Sequence, residues 1–250
     1  MRALDAAALL DLWERGLAQP LPRRVAALVH AAWPDATEAD VLAWPLGRRD
    51  ARLLTLRRRL FGADLTLIAP CPSCGVAVEL AFRVEDVLLP EAREARGEMQ
   101  VIERDGYVIA FRPPASSDLL ALAEAPRAAD RDGDPRQRLL ARCVTDLRHA
   151  DGASATIEDL PAGIVAAISA GMAAADPQAD VQLACACPGC GRTWPALFDI
   201  ASVLWSEIHV WARRLLRDVH TLARAYGWRE ADVLALSPTR RQIYLELSRS

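Results

Sequence analysis

The feature that most limits how this chain folds is an internal repeat spaced by 116 residues. ADLTLIAPCPSCGVAVELAFRVEDVL, starting at Ala63, aligns without a gap with ADVQLACACPGCGRTWPALFDIASVL, starting at Ala179. At that one offset Cys71 falls on Cys187, Cys74 on Cys190, Gly75 on Gly191, Phe82 on Phe198 and Val87-Leu88 on Val203-Leu204. Each copy carries Cys-Pro-x-Cys-Gly between two strand-like runs, and the alternation of Val76, Val78, Leu80 and Phe82 predicts a half-buried hairpin. The proline fixes φ in the turn, and the glycine admits a left-handed residue, so that backbone N–H groups can face the sulfurs. One such knuckle offers two thiolates, whereas a tetrahedral zinc takes four. The two copies are therefore predicted to face each other across one structural Zn2+ held by Cys71, Cys74, Cys187 and Cys190.

Cys74 and Cys187 stand 113 residues apart, so the intervening chain must form an insertion whose ends return close together. The entropic cost of closing such a loop grows only logarithmically with length. A single Cys-Pro-x-Cys also suits thiol redox chemistry, but the duplication, with a glycine after each pair, favours structural metal. Four thiolates leave no open coordination position, which argues against a catalytic ion. Cys185 aligns with Ala69 and Cys143 sits alone in LLARCVTDL, so both read as buried thiols.

These segments divide the chain into a helical amino-terminal arm (1–62), a first knuckle half (63–89), an inserted α/β subdomain (90–178), a second knuckle half (179–204) and a helical carboxyl-terminal arm (205–250). The fold class expected is mostly helical α+β, with a split, zinc-ribbon-like small sheet flanked by helical arms. Charge follows the same division: the two arms each carry +3 and the middle, 63–204, carries −9, for a net charge of −3. That balance argues against a protein coated in nucleic acid. The 30 basic residues are all arginine, which reads as coding bias. The apolar runs are too short and too often interrupted by charge to span a membrane or to act as a secretion signal, so a soluble, cytoplasmic protein is expected.

In the first arm, helix is expected over 4–32, with Leu9, Leu12, Trp13 and Leu17 on one face before a break at 19–22, then Val25, Leu28 and Val29. Thr37 can cap a short helix ended by Trp44-Pro45, and LGRRDARLLTLRRRLFG continues as an amphipathic helix stopped by Gly62. Its arginines at 49, 52, 57, 58 and 59 suit a basic patch or, more plainly, a solvated helix face whose stems cover apolar surface. In the insertion, YVIAFRPP reads as a strand, and helices are expected at 117–124, 136–148 and 157–175. APRAADRDGDP reads as a connecting loop; its Asp132 and Asp134 resemble the start of a calcium loop, but the remaining ligands are missing.

From Trp205 an apolar heptad seam runs through Ile208, Ala212, Leu215, Val219, Leu222 and Tyr226. It suits a coiled-coil oligomer or, more commonly, packing on the chain's own core. His209 and His220 lie off the seam and read as solvated or hydrogen-bonded. At the end, Ser237 and Pro238 open a last helix with Ile243, Tyr244 and Leu247 inward. Two short helices joined by a turn also match a helix-turn-helix, with Thr239, Arg240, Arg241 and Gln242 at the base-reading tip. A zinc-ribbon and helix-turn-helix regulator of nucleic acid is therefore the alternative function, weakened by the acidic pI of about 5.9. No phosphate-binding glycine loop, G-x-S-x-G, H-E-x-x-H or Cys–His nucleophile pattern occurs, so no enzyme is expected.

The paired Cys-Pro-x-Cys-Gly halves, the segment WPLGRRDARLLTLRRRLFG and the ending HTLARAYGWREADVLALSPTRRQIYLEL together resemble baseplate proteins of contractile phage tails and phage-tail-like injection systems. The likeness is to the T4-type baseplate hub and its assembly factors, and it spans most of the chain. It implies a non-enzymatic structural or chaperone-like assembly role, with baseplate, hub, spike or tube subunits as partners, in the cytoplasm or within the particle.

Overall fold

The computed structural model describes residues 1–89, 92, 97–124 and 134–248. Pro90 with its acidic surroundings, and most of the 125–135 loop with Asp132, lie outside the described residues. The chain is a mostly helical α+β protein, with three small antiparallel sheets among the described residues.

Four helices make the first layer: α1 (Ala6–Gly16), α2 (Leu21–Ala32), α3 (Glu38–Ala43) and α4 (Leu46–Phe61). Local chemistry sets their ends. Asp5 Oδ1 accepts from the Ala8 N–H at 2.8 Å, Thr37 and Asp40 close a reciprocal capping box, and α4 stops at Gly62, whose φ is +91°. Leu9, Leu12 and Trp13 are buried as their spacing predicts, but Leu17, beyond the end of α1, is exposed. Leu28, Leu53, Leu54 and Leu56 fill the core that these helices share with α9 (Ile200–Tyr226).

The arginines of α4 are neither a patch nor a plain solvated face. Arg49 is buried on Asp50 and Ser116, and Arg57 is buried on Glu207 and the carbonyls of Gly62 and Asp64. Arg52 lies over the ring of Trp33, while Arg58 and Arg59 remain exposed. A buried guanidinium must have partners, and these come from residues up to 150 positions away.

After α4 come β1 (Asp64–Pro70), β2 (Ala77–Arg83) and the single turn α5 (Val84–Val87). The insertion follows: β3 (Gln100–Arg104), β4 (Tyr107–Phe111), α6 (Ser116–Glu124), α7 (Pro135–Cys143), β5 (Val144–His149) and α8 (Ala162–Ala175). β3, β4 and β5 form one antiparallel sheet in that order, and a separate core of Ile109, Phe111, Leu140, Leu160, Ile164 and Ile168 lies between that sheet and α8. Two expectations are corrected here. The helix expected over 136–148 ends at Cys143, and the β-branched Val144 and Thr145 open a strand that pairs with β4. The helix expected over 157–175 begins only at Ala162, because Pro161 sits at its N-cap with an extended ψ of 144°. β3 went unrecognised in the sequence; it is held by its register with β4, Ile102 opposite Ile109.

A 3-10 turn (Pro177–Ala179) leads into β6 (Gln182–Ala186) and β7 (Thr193–Leu197), and then α9, α10 (Glu230–Leu234) and α11 (Pro238–Leu247). α9 begins at Ile200, five residues before the onset expected at Trp205, with Asp199 as its cap. Its heptad seam is spent inside this chain: Ile208, Ala212, Leu215 and Leu222 are buried against α1, α2, α4, α10 and α11. Oligomerisation through that seam is therefore corrected: apart from Tyr226 at its end, the seam is covered within the chain. On α11 the inward residues are Arg241 and Leu245, with Tyr244 half-buried, whereas Ile243 and Leu247 face solvent.

Candidate metal centre

The repeat seen in the sequence is a repeat in space. In the first hairpin Thr66 pairs with Ala81, Ile68 with Glu79 and Pro70 with Ala77; in the second, Gln182 pairs with Leu197, Ala184 with Pro195 and Ala186 with Thr193. Every pair of the second ladder is the first shifted by the same 116 residues. The knuckles match bond for bond. Cys71 N–H donates to Val76 O at 2.8 Å and Gly75 N–H to Cys71 O at 2.9 Å; Cys187 N–H donates to Arg192 O and Gly191 N–H to Cys187 O, both at 2.9 Å. Gly75 and Gly191 hold φ of +74° and +73°, the left-handed conformation that the motif's glycine was expected to supply.

The hairpins form two separate two-stranded sheets, not the one small sheet expected. They face each other about a local pseudo-two-fold. Phe82 meets its counterpart Phe198 edge to face at 5.3 Å, Cys71 Sγ lies 3.7 Å from Cys190 Sγ, and Cys74 Sγ lies 3.5 Å from Cys187 Sγ. Those two sulfur pairs exchange under the 116-residue shift, as the symmetry requires. All four sulfurs lie within 4.8 Å of one another.

A tetrahedral ion with sulfurs at about 2.3 Å places them roughly 3.8 Å apart. The observed spacing fits that geometry and is far beyond the length of about 2.05 Å of a disulfide. Cys71 and Cys187 are buried beside Val78, Leu80 and Trp194, while Cys74 and Cys190 reach the surface. Cys143 and Cys185 are buried elsewhere, as expected of bystanders, and burial pushes the Cys143 thiol up to about 11.

The charge balance of the cluster also asks for a cation. Burial raises the Cys71 thiol, but the N–H groups of Cys74 and Ser73 and the thiols of Cys187 and Cys190 outweigh it and bring it down to about 6. The Val76 N–H favours the Cys74 thiolate, but the neighbouring thiols of Cys187, Cys190 and Cys71, with burial, push it up to about 12. Four thiolates this close would repel one another, so all four could ionise together only around a positive ion. The four cysteines could hold a metal with no coordination position left for water or substrate.

Residues with no motif secure the frame. The Gln178 side chain accepts from the Leu89 N–H at 2.7 Å and donates to Val87 O at 3.1 Å, tying the insertion's exit to the end of the first copy. Buried Asp176 accepts from the Gly47 N–H at 2.8 Å. Buried Asp118 takes both Nη groups of Arg112 and the Nε of Arg142; burial raises its carboxyl, but Arg112, the Ala115 N–H and Arg142 hold it below the ordinary carboxylate range. These partners lie 3 to 129 residues apart and share no common spacing that a sequence reader could recognise.

The other candidate residues do not converge. His209 accepts from the Trp13 indole N–H at 3.1 Å, as a hydrogen-bonded histidine should, and His220 is solvated. Arg241, placed by sequence at a base-reading tip, is instead buried and paired with Asp218 at 3.6 Å. The helix-turn-helix reading thereby loses one of its four tip residues, because α10 and α11 pack onto α9 and turn that side chain inward.

Two repeated hairpins in a helical frame thus bring together four cysteines that could hold a metal. The model of the T4 bacteriophage base plate protein family matches residues 31–205, from the end of α2 through both hairpins and the insertion into α9, and the chain belongs to that family. Comparison with curated proteins and with solved structures gave no match. Among the described residues no helix is long and apolar enough to cross a membrane.

Proposed function

We propose that this protein is a non-enzymatic structural or assembly component of the baseplate of a contractile phage tail or phage-tail-like injection system, built around a zinc clamp. The observation that carries the reading is the family match over a region that contains all four cysteines of the cluster. Cys71, Cys74, Cys187 and Cys190 would hold the ion, and zinc suits a closed, redox-silent thiolate site. Bound there, the metal would fasten the hairpins. Because α9 leaves the second hairpin within three residues of Leu197, the clamp would also fix the direction of α9 against α4. Partners in this reading are hub, spike, tube or other baseplate subunits, met through the helical arms.

The test is to co-express the tagged full chain with the tube, spike and sheath subunits of its particle and measure zinc in the purified material. One zinc per chain, co-purification with baseplate partners and loss of sheathed particles on deletion are expected. Metal-free protein that ignores those subunits but is retained on DNA, with retention falling steeply as salt rises, would overturn the reading in favour of a regulator.

A further inference from the structure

The face of α9 opposite its buried seam carries Val210, Arg213, Arg217, His220 and Arg224, with Arg214 on its flank, and all six are exposed. Steps of three and four residues align the first five along one line. Arg213 and Arg224 are eleven residues apart, or roughly 16 Å at 1.5 Å per residue. No carboxylate interrupts this face. The two acids of α9 are consumed elsewhere, Glu207 by Arg57 of α4 at 2.8 Å and Asp218 by Arg241 of α11 at 3.6 Å. Among the described residues, neither the three stripe arginines nor Arg214 has an ion-pair partner.

Arrangement, rather than arginine content, makes this face unusual. Arg58 at the exposed end of α4 meets Glu85, and Arg23 of α2 meets Glu124. α9 instead stacks like charges at Arg213 and Arg217, four residues apart, and at Arg214 and Arg217, three apart, a pattern that weakens an isolated helix. The buried seam on the other side fixes α9, so this face is held ready on a rigid rod.

We infer that the outward face of α9 is a docking surface for an acidic helix of a protein partner, whose carboxylates meet Arg213, Arg217 and Arg224 while an apolar side chain meets Val210. Charge complementarity selects the partner's sign. Three features favour protein over nucleic acid. The chain is net negative, with −9 in its middle, which repels an extended polyanion. Val210, 65% exposed, extends the stripe with an apolar contact that a phosphate backbone cannot use. Arg241, which would extend the basic surface onto α11, is turned inward. The surface lies beyond the family match, which ends at residue 205.

The test uses the full chain and a synthetic helical peptide with glutamates at four- and three-residue steps and one terminal leucine, followed by fluorescence anisotropy. Wild-type protein should bind it, more weakly as salt rises from about 50 to 200 mM. Arg213→Glu/Arg217→Glu/Arg224→Glu should bind at least about tenfold more weakly and gain affinity for the matching lysine peptide, with unchanged helical circular dichroism. Equal binding by wild type and variant, no binding by wild type, or tighter binding of a duplex DNA than of the glutamate peptide would each overturn the inference. So would salt-sensitive self-association of wild type that the variant lacks, since the occupant would then be a second copy of this chain.

Discussion

From Thr66 to Ala81 and from Gln182 to Leu197 the chain lays down the same ladder twice, yet the first copy leads into a helix of four residues and the second into one of 27. Both helices start at the same point of the repeat, Val84 and Ile200, and both starting residues are buried. Their capping differs. Asp199 accepts from the Ala201 and Ser202 N–H groups, whereas Arg83 stands in its place in the first copy and Asp86 reaches back to the Arg83 N–H at 2.7 Å. Beyond the shared Leu88 and Leu204 the copies part. The first reads Leu89-Pro90, and a residue before proline avoids helix, while Gln178 takes up the free backbone groups there. The second reads into the heptad seam and keeps its helix. The repeat thus specifies a hairpin and a knuckle, and the residues that follow it decide whether the copy ends in a turn or in a rod.

The comparison can be broken most forcefully at the sulfurs. Cys71→Ser and Cys187→Ser occupy equivalent positions, so each alone should release the metal and lower the melting temperature by more than about 10 °C, to a similar degree. Melting curves with metal analysis check this; loss of metal from one variant and retention by the other would show that the copies are not equivalent halves of one site.

A smaller effect separates the copies by pH. Asp50 lies beside the second copy: burial pushes its carboxyl from 3.8 up to about 6 against the pull of Arg49, and Asp199 and Asp176 add to the rise. The folded state therefore binds a proton more tightly than the unfolded chain. The stability this contributes is fully present below about pH 4 and is lost as pH rises through about 6. Asp50→Asn should remove that slope, worth about 3 kcal/mol at most, as read from urea unfolding at several pH values. Parallel pH profiles for wild type and variant would refute it. Asp118 has the opposite linkage, contributing stability above about pH 4 that is lost as pH falls through its depressed value, and it forms a common background to both curves.

The smallest effect sharpens the equivalence. Gly75→Ala and Gly191→Ala meet open space but force an alanine to a positive φ, so each should cost about 1 kcal/mol, additively, with metal retained. Unequal costs in denaturant unfolding would mean that one knuckle is more strained than its twin.

The legible features were local ones. Proline and glycine around each cysteine pair dictate the knuckle, Thr37, Ser237 and Gly62 mark helix ends, and the seam residues of α9 announce which face is buried. Errors arose where local preference yields to neighbours. The 136–148 segment has helical spacing throughout, but a vacant strand edge beside β4 claims Val144–His149. On α11, Ile243 and Leu247 read as the inward residues, yet Arg241, paired with Asp218 on α9, and Leu245 are the ones buried.

The sequence by itself determined that two copies of a cysteine knuckle exist, 116 residues apart, each with two sulfurs on a tight turn. Only the tertiary structure decided that they meet, because a pairing between residues 71 and 190 leaves no periodicity along the chain. The same holds for Arg57 with Glu207 and Gln178 with Leu89. Turns and caps are settled by interactions within a few residues, whereas burial of a charge or closure of a metal site requires partners that only the packed chain can bring together.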